Sequence, residues 1–529
     1  MSPEQAQRLV DDEIRELTAK YVASLSQLKA RRNLFSAISK LPNEVLLEIF
    51  MTVKDCPSSS FKDFHGISQI CQRWRHLVLD APAFWTRLST SRHEYTMLML
   101  HRSKLAPLDV HLPRSTSSET LLAVLDHLER IRTLSLTLTY VALRDLFDSL
   151  SKRDTVAPLM ETLCIVCGWY LFRGDSDFAL SLKTFGLTSC LHTLKLAQFP
   201  FDFVFPHLPN VTHLDLGEVE AAHNLTGIQL TRVLRQVPNL EVLIIGFDHL
   251  GLHDYTMTTP PDPIQLSHLT SLDIKSRANR DHIQWFLMQV SLPALQRLNI
   301  DAEDEEQWDY IQMVKTIGRT IAQGDFGGLD TLKISYDHFK ISSQHTPSSA
   351  NGPYVRVSFA VGDIIAGGSS FNIAECIVLS CTKHQVNGIT SSPIQYLRIG
   401  WLNLDKDELH ELLGNLPDVE AIETEVDVGV PFVEALTIPF PDDSNRISPN
   451  SKEPILDGIL PKLEVIALRS MTFHELSRNV RKKFFSYLSY RYDHGKAIKM
   501  LGLDKQKLSA SEIKLLAEVV DRVEISDDA

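Results

Sequence analysis

One spacing recurs along this chain and limits what it can fold into: an apolar residue, two others, an apolar, one other, an apolar. It stands as IRTLSL at 131, METLCI at 160, LHTLKL at 191, VTHLDL at 211, LEVLII at 240 and LTSLDI at 269. It continues as LQRLNI at 295, LDTLKI at 329, IQYLRI at 394 and LEVIAL at 463, with weaker copies at AECIVL (374) and VEAIET (419). The alternation inside each copy is that of a short strand with one buried face. Helical stretches lie between copies: TRVLRQVPN, HIQWFLMQVSLPA and DELHELLGNLPD. Each strand-plus-helix unit has an apolar edge that only its neighbours can cover, so the units must stack. The predicted fold for residues 91–472 is an α/β repeat solenoid of parallel strands with outer helices.

Most copies start about 20–29 residues after the last, the period of leucine-rich repeats, with a few longer insertions. Three polar tracts, at 256–263, 342–353 and 439–454, read as surface loops. Residues 473–529 read as a helical cap, in which Ser509 and Glu512 have the spacing of a capping box. The third and fifth motif positions point away from the core and line the sheet. With the position that follows the motif, they supply the candidates for holding a polar protein surface: Lys195, Asp215, Asp273, Lys275, Arg297, Lys333, Arg398 and Trp401. A phosphorylated target would select the cations Lys195, Lys275, Arg297, Lys333 and Arg398. Any one of these residues is most simply a solvated sheet position; the surface as a whole is the candidate.

Before the repeats, residues 1–38 read as a helix with Val10, Ile14, Leu17, Tyr21, Leu25 and Leu28 three or four apart. The stripe leaves two readings open: a helix folded back on its own neighbour, and a short coiled coil making a homodimer. Residues 39–90 read as three short helices. The first is LPNEVLLEIF, with Pro42 suited to a first turn; the second carries Ile67, Ile70, Trp74, Leu77 and Val78; the third is APAFWTRL. A core this small gains from packing against a neighbour.

Leu41-Pro42-x-Glu44-x-Leu46-x-x-Ile49-Phe50, followed by Cys71-x-Arg73-Trp74-Arg75 and Phe84-Trp85, resembles an F-box. The whole layout is similar to fungal F-box proteins with a leading helix and a leucine-rich-repeat tail. The loop between Phe50 and Phe64 is longer and more polar than the family's usual turn. The resemblance implies a non-catalytic substrate-recognition subunit of an SCF ubiquitin ligase. It would dock on a Skp-type adaptor, and through it on a cullin ligase, while its repeats hold an unknown target protein. The residues carried over for docking are Leu41, Pro42, Glu44, Leu46, Ile49, Phe50, Ile70, Trp74 and Trp85. An interaction scaffold whose F-box-like unit serves outside a ligase is the alternative.

Composition and motifs narrow the function classes further. A net charge of −13 with no basic block argues against nucleic acid. No run of about 18 apolar residues predicts a membrane span. The 7 cysteines are scattered, as in a reduced cytoplasmic or nuclear protein. No phosphate-binding glycine loop, dinucleotide fingerprint or nucleophile elbow occurs. His410 and His474 each begin a zinc-helix pattern that lacks its second histidine, and Cys164-x-x-Cys167 has no partner pair. No cofactor or metal is expected.

Overall fold

The apolar spacing is realised as strands whose first, fourth and sixth motif positions are buried. Leu191, Leu194 and Leu196 show this, as do Leu269, Leu272 and Ile274, and Leu463, Ile466 and Leu468. The computed structural model describes residues 2–56, 66–88, 92–152, 156–167, 185, 190–197, 207–218, 227–247, 262–276, 280–302, 310–327, 329–335, 338–342, 352–359, 374, 377, 385–386, 389–390, 394–400, 402–425, 427–438, 459–469, 471, 475–504 and 510–526. They fall into two compact units: Met1–Tyr170 with Thr184–Cys190, and Leu171–Lys183 with Leu191–Ala529.

The first unit opens with helix α1 (Pro3–Asn33). Ser2 and Gln5 form a reciprocal capping box at its start, and Pro3 fits a turn where its missing N–H costs nothing. No residue of α1 is buried, and Leu9, Val10, Ile14, Leu17, Tyr21 and Leu28 are all exposed. The fold-back reading of this helix is therefore not what the fold shows. Helix α2 (Asn43–Asp55), the helix Gln72–Leu79 and the single turn Pro82–Trp85 follow. Pro42 lies just outside α2, at its N-cap with extended backbone, rather than within the first turn.

The turn at Trp85 leads at once into strand β1 (Arg87–Leu88). It pairs in parallel with β2 (Leu108–Leu112), β2 with β3 (Ile131–Leu138), and β3 with β4 (Thr162–Cys167). The parallel ladder thus begins ahead of the first motif read at 131. The three-helix segment is joined to that ladder at Thr86, whose carbonyl accepts from Asp109 N of β2 at 3.0 Å, while Trp85 Nε1 donates to Val78 O at 2.8 Å within the segment.

In the second unit, β5 (Thr193–Ala197), β6 (His213–Glu218) and β7 (Val242–Gly246) are parallel. A two-residue strand, β8 (Ile264–Gln265), precedes β9 (Ser271–Ser276) and pairs with β10 (Val290–Ser291). β9 joins β7 on one side and β11 (Arg297–Ala302) on the other, both in parallel. The helices Gly227–Arg235 and Arg280–Gln289 lie where the sequence places them.

Beyond β11 the order departs from a simple repeat. The next copy, β12 (Thr331–Ile334), has strands other than β11 on both its sides. Between them stand β13 (His338–Ser342) and β14 (Tyr354–Phe359), the order running β11-β14-β13-β12. β13 is antiparallel to both its neighbours, which interrupts the parallel stacking there. Neither strand carries the six-residue spacing, because each alternates strictly, as in HFKIS and YVRVSF.

A small antiparallel pair, β15 (Gln385–Val386) and β16 (Ile389–Thr390), stands apart from this sheet. Parallel order then resumes through β17 (Tyr396–Ile399), β18 (Ala421–Thr424) and β19 (Val465–Leu468), with β12 pairing β17. Between β17 and β18 runs the helix Lys406–Gly414, capped by Asp405 and Glu408. Two further strands, β20 (Ile498–Asp504) and β21 (Val520–Ser526), extend the ladder. The segment expected as a helical cap is therefore mixed, with helices Arg478–Asp493 and Ala510–Val519 alternating with these strands. Ser509 of the expected capping box and most of the three polar tracts lie outside the described residues.

Candidate functional site

Helix α2 has one buried stripe and one exposed apolar stripe. Leu46, Phe50 and Lys54, four residues apart, face inward and are buried, Leu46 completely at 0% exposure. The Phe50 ring centre lies 4.8 Å from that of Trp74. Lys54 Nζ donates to Ala83 O at 2.7 Å and to Thr86 Oγ1 at 3.0 Å. Burial lowers the Lys54 pKa from the usual lysine value, opposed by the nearby Asp55 carboxylate. The second stripe is Val45, Ile49 and Val53, each 39% exposed, with the same spacing.

Arg73 fixes the entry to this helix. Its guanidinium donates to Ser39 O and Leu41 O at 2.7 Å each, and to Asn43 Oδ1 at 2.7 and 3.0 Å. These bonds hold Leu41 and Pro42 in one position ahead of α2. Three of the nine residues carried over for docking, Leu46, Phe50 and Trp85, instead close the unit's own core. Leu41 and Trp74 are half-buried, and Pro42, Glu44, Ile49 and Ile70 are exposed. Val53 belongs with the exposed set; its four-residue spacing from Ile49 was the available signal.

The second candidate surface is the outward face of the second unit's sheet. Strand registers put fifth motif positions in one row: Lys195 opposite Asp215, Asp215 opposite Ile244, Ile244 opposite Asp273, and Asp273 opposite Asn299. The row goes on through Arg356, Lys340, Lys333, Arg398 and Glu423. Arg297 and Lys275 flank it, Arg297 opposite Ser271 and Lys275 opposite Asp301. Trp401 lies outside the described residues.

Several of these groups already satisfy one another. Lys195 Nζ meets Asp215 Oδ2 at 2.6 Å. Arg398 is bonded to Glu425, and Glu423 lies 3.8 Å away. The Tyr396 hydroxyl donates to Glu423, and its pKa is raised first by burial and then by that bond. Asn299 Nδ2 donates to Asp273 Oδ1 at 3.1 Å; burial still raises the Asp273 pKa against this bond and the Lys275 charge. Lys195 and Arg398 therefore hold carboxylates of the chain itself, while Lys333 belongs to a different set. Lys340 and Arg356 were not legible as members of the row, because the strands that carry them lack the repeat spacing.

Cys167 is buried and Cys164 half-buried in β4. Among the described residues no cluster of three or more His, Cys, Asp or Glu could hold a metal ion, and no helix is long and apolar enough to cross a membrane. No curated protein matches the chain. The family model described as F-box-like does match, over residues 38–91, which makes the helical segment built around α2 an F-box-like domain.

Proposed function

We propose that the chain is a non-catalytic substrate-recognition adaptor of an SCF-type ubiquitin ligase. The observation that carries this is the exposed Val45, Ile49 and Val53 stripe, together with the exposed Pro42 and Ile70, within an F-box-like domain. Burying such a stripe under a Skp-type adaptor would stabilise the complex by about 25 cal/mol per Å² of apolar area removed from water. The parallel sheet with its helices supports reading the remainder as a leucine-rich-repeat-like solenoid that holds a target protein. Action is then by proximity, the target's lysines being kept near the transferring enzyme. The cytoplasm and the nucleus are the compartments in which such a ligase subunit would work. Co-expression with a Skp-type adaptor and a cullin tests the reading: all three should co-purify. Absence of the adaptor from the purified chain would leave the scaffold alternative.

Helix α1 supports a further partner, a second copy of the chain. Its first half carries five acids, Glu4, Asp11, Asp12, Glu13 and Glu16, against Arg8 and Arg15, and its second half carries Lys20, Lys29, Arg31 and Arg32 with no acid. Antiparallel pairing through the exposed apolar stripe sets each acidic half against a basic one. Light scattering of the intact chain should give the dimer mass, and Ile14→Glu with Tyr21→Glu the monomer mass. A monomer at every concentration contradicts this pairing.

A further inference from the structure

Four cations occupy one register in four adjacent strands of the sheet. Arg356 on β14 stands opposite Lys340 on β13, Lys340 opposite Lys333 on β12, and Lys333 opposite Arg398 on β17. Strands in a sheet lie about 4.8 Å apart, so the first three span about 10 Å. Their neighbours in sequence, Val355 and Val357, Phe339 and Ile341, and Leu332 and Ile334, are all buried. The three cationic side chains therefore share the face turned away from the core.

Like charges set directly opposite each other weaken a sheet. Elsewhere this sheet avoids the cost by pairing cations with carboxylates. Lys195 has Asp215 at 2.6 Å, Arg469 has Glu423 at 3.3 Å, Lys499 has Glu464 at 2.6 Å, and Arg398 has Glu425. Lys333, Lys340 and Arg356 have no carboxylate partner among the described residues, although the chain carries a net charge of −13. The Lys340 ammonium lies 6.0 Å from the centre of the Tyr354 ring, which offers a flat wall beside the cations.

We infer that Lys333, Lys340 and Arg356 form an anion-binding row that takes a multiply charged acidic peptide segment, whose anionic groups are carboxylates or phosphates. The inference rests on the proposed role of the sheet as the target-holding face, and names the chemistry that face selects. A nucleic acid fits less well, because three cations over about 10 Å on an acidic chain give no continuous basic track. Arg398, already held by Glu425, sets one end of the row, and Asn299 opposite Arg356 sets the other.

The decisive variant is Lys340→Glu, which places a carboxylate between Lys333 and Arg356. If the row is held ready for a ligand, this change raises the unfolding midpoint of the intact chain and removes the site together. Fluorescence anisotropy with a labelled hexaglutamate peptide, and with the same length of peptide bearing two phosphoserines, measures binding; hexaglutamine is the control. At least one acidic peptide should bind, weaken with salt, and lose about tenfold in affinity in Lys340→Glu. Which of the two binds more tightly tells carboxylate from phosphate as the preferred anion. Lys462→Glu, which makes the same charge change away from the row, should keep the affinity. Equal affinity in intact chain and Lys340→Glu, equal loss in Lys462→Glu, or no binding of either acidic peptide overturns the inference. Adaptor co-purification, run on the same samples, separates that failure from failure of the ligase reading.

Discussion

Leu46→Ala should destabilise the first unit by about 3 kcal/mol, the typical cost of emptying a fully buried leucine site. Ile49→Asp, one turn of neighbouring helix surface away, should change stability by under about 1 kcal/mol, because it replaces an exposed side chain. Adaptor binding reverses the order of severity. Ile49→Asp puts a charge in the centre of the proposed docking stripe and should cost about 2 kcal/mol of affinity, close to 30-fold. Leu46→Ala should leave the affinity of the folded fraction nearly unchanged. The contrast follows from the geometry of α2, in which Leu46 is completely buried while Ile49 is 39% exposed. Urea unfolding followed by circular dichroism gives the first quantity, and calorimetric titration with the adaptor the second. A large loss of stability in Ile49→Asp would place that side chain in the private core.

The second large effect is expected at Arg491, which is buried at the end of the helix Arg478–Asp493. Its guanidinium donates to Leu463 O at 2.7 Å, Lys496 O at 2.9 Å and Leu460 O at 3.3 Å. Leu460 has a φ of 50°, a left-handed backbone that a leucine adopts only when its surroundings hold it there. Arg130 does the same in the first unit. It donates to Leu100 O, Ala106 O and Ser103 Oγ, around Lys104, whose φ is also 50°. Each buried arginine thus clasps the loop ahead of a strand, supplying donors to carbonyls that no ladder reaches. Arg491→Met should take the donor from Leu463 O and Lys496 O, leave Leu460 O with only its bond from Leu463 N, and destabilise the second unit by about 3–5 kcal/mol. Amide exchange in β19 and β20 should speed up by roughly 100-fold or more. Arg491→Lys should recover only part of the loss, since an ammonium cannot reproduce the guanidinium fork. Unchanged exchange in both variants would mean that the loop holds itself.

What the sequence made legible is what periodicity encodes. Leu194, Leu214, Leu243, Leu272 and Leu298 sit at the fourth motif position, and every one is buried. Their strands pair in the order in which they are met along the chain. The same spacing also stands at Ile498-x-x-Leu501-x-Leu503 and Val520-x-x-Val523-x-Ile525, where the surrounding helical pattern hides it. Both of those strands extend the parallel ladder. β13 and β14 were not legible as neighbours of β11 and β12, because strict alternation fixes a strand's two faces and says nothing of its partner. The exposed F-box stripe was half legible. Val45, Leu46, Ile49 and Phe50 fall within one broad arc of a helix, and only tertiary packing, as of Phe50 on Trp74, decides which pair turns inward. The cation row was hidden for the same reason as β13 and β14: it exists only through cross-strand register.

The most direct test of the account is adaptor affinity measured on the intact chain and on the pair Val45→Asp with Ile49→Asp, with circular dichroism on both. The account predicts a stoichiometric complex with the intact chain, an affinity loss of at least about 100-fold in the variant, and matching spectra. Equal affinity in two equally folded proteins would contradict it, because the outward stripe of α2 would then not be the docking face.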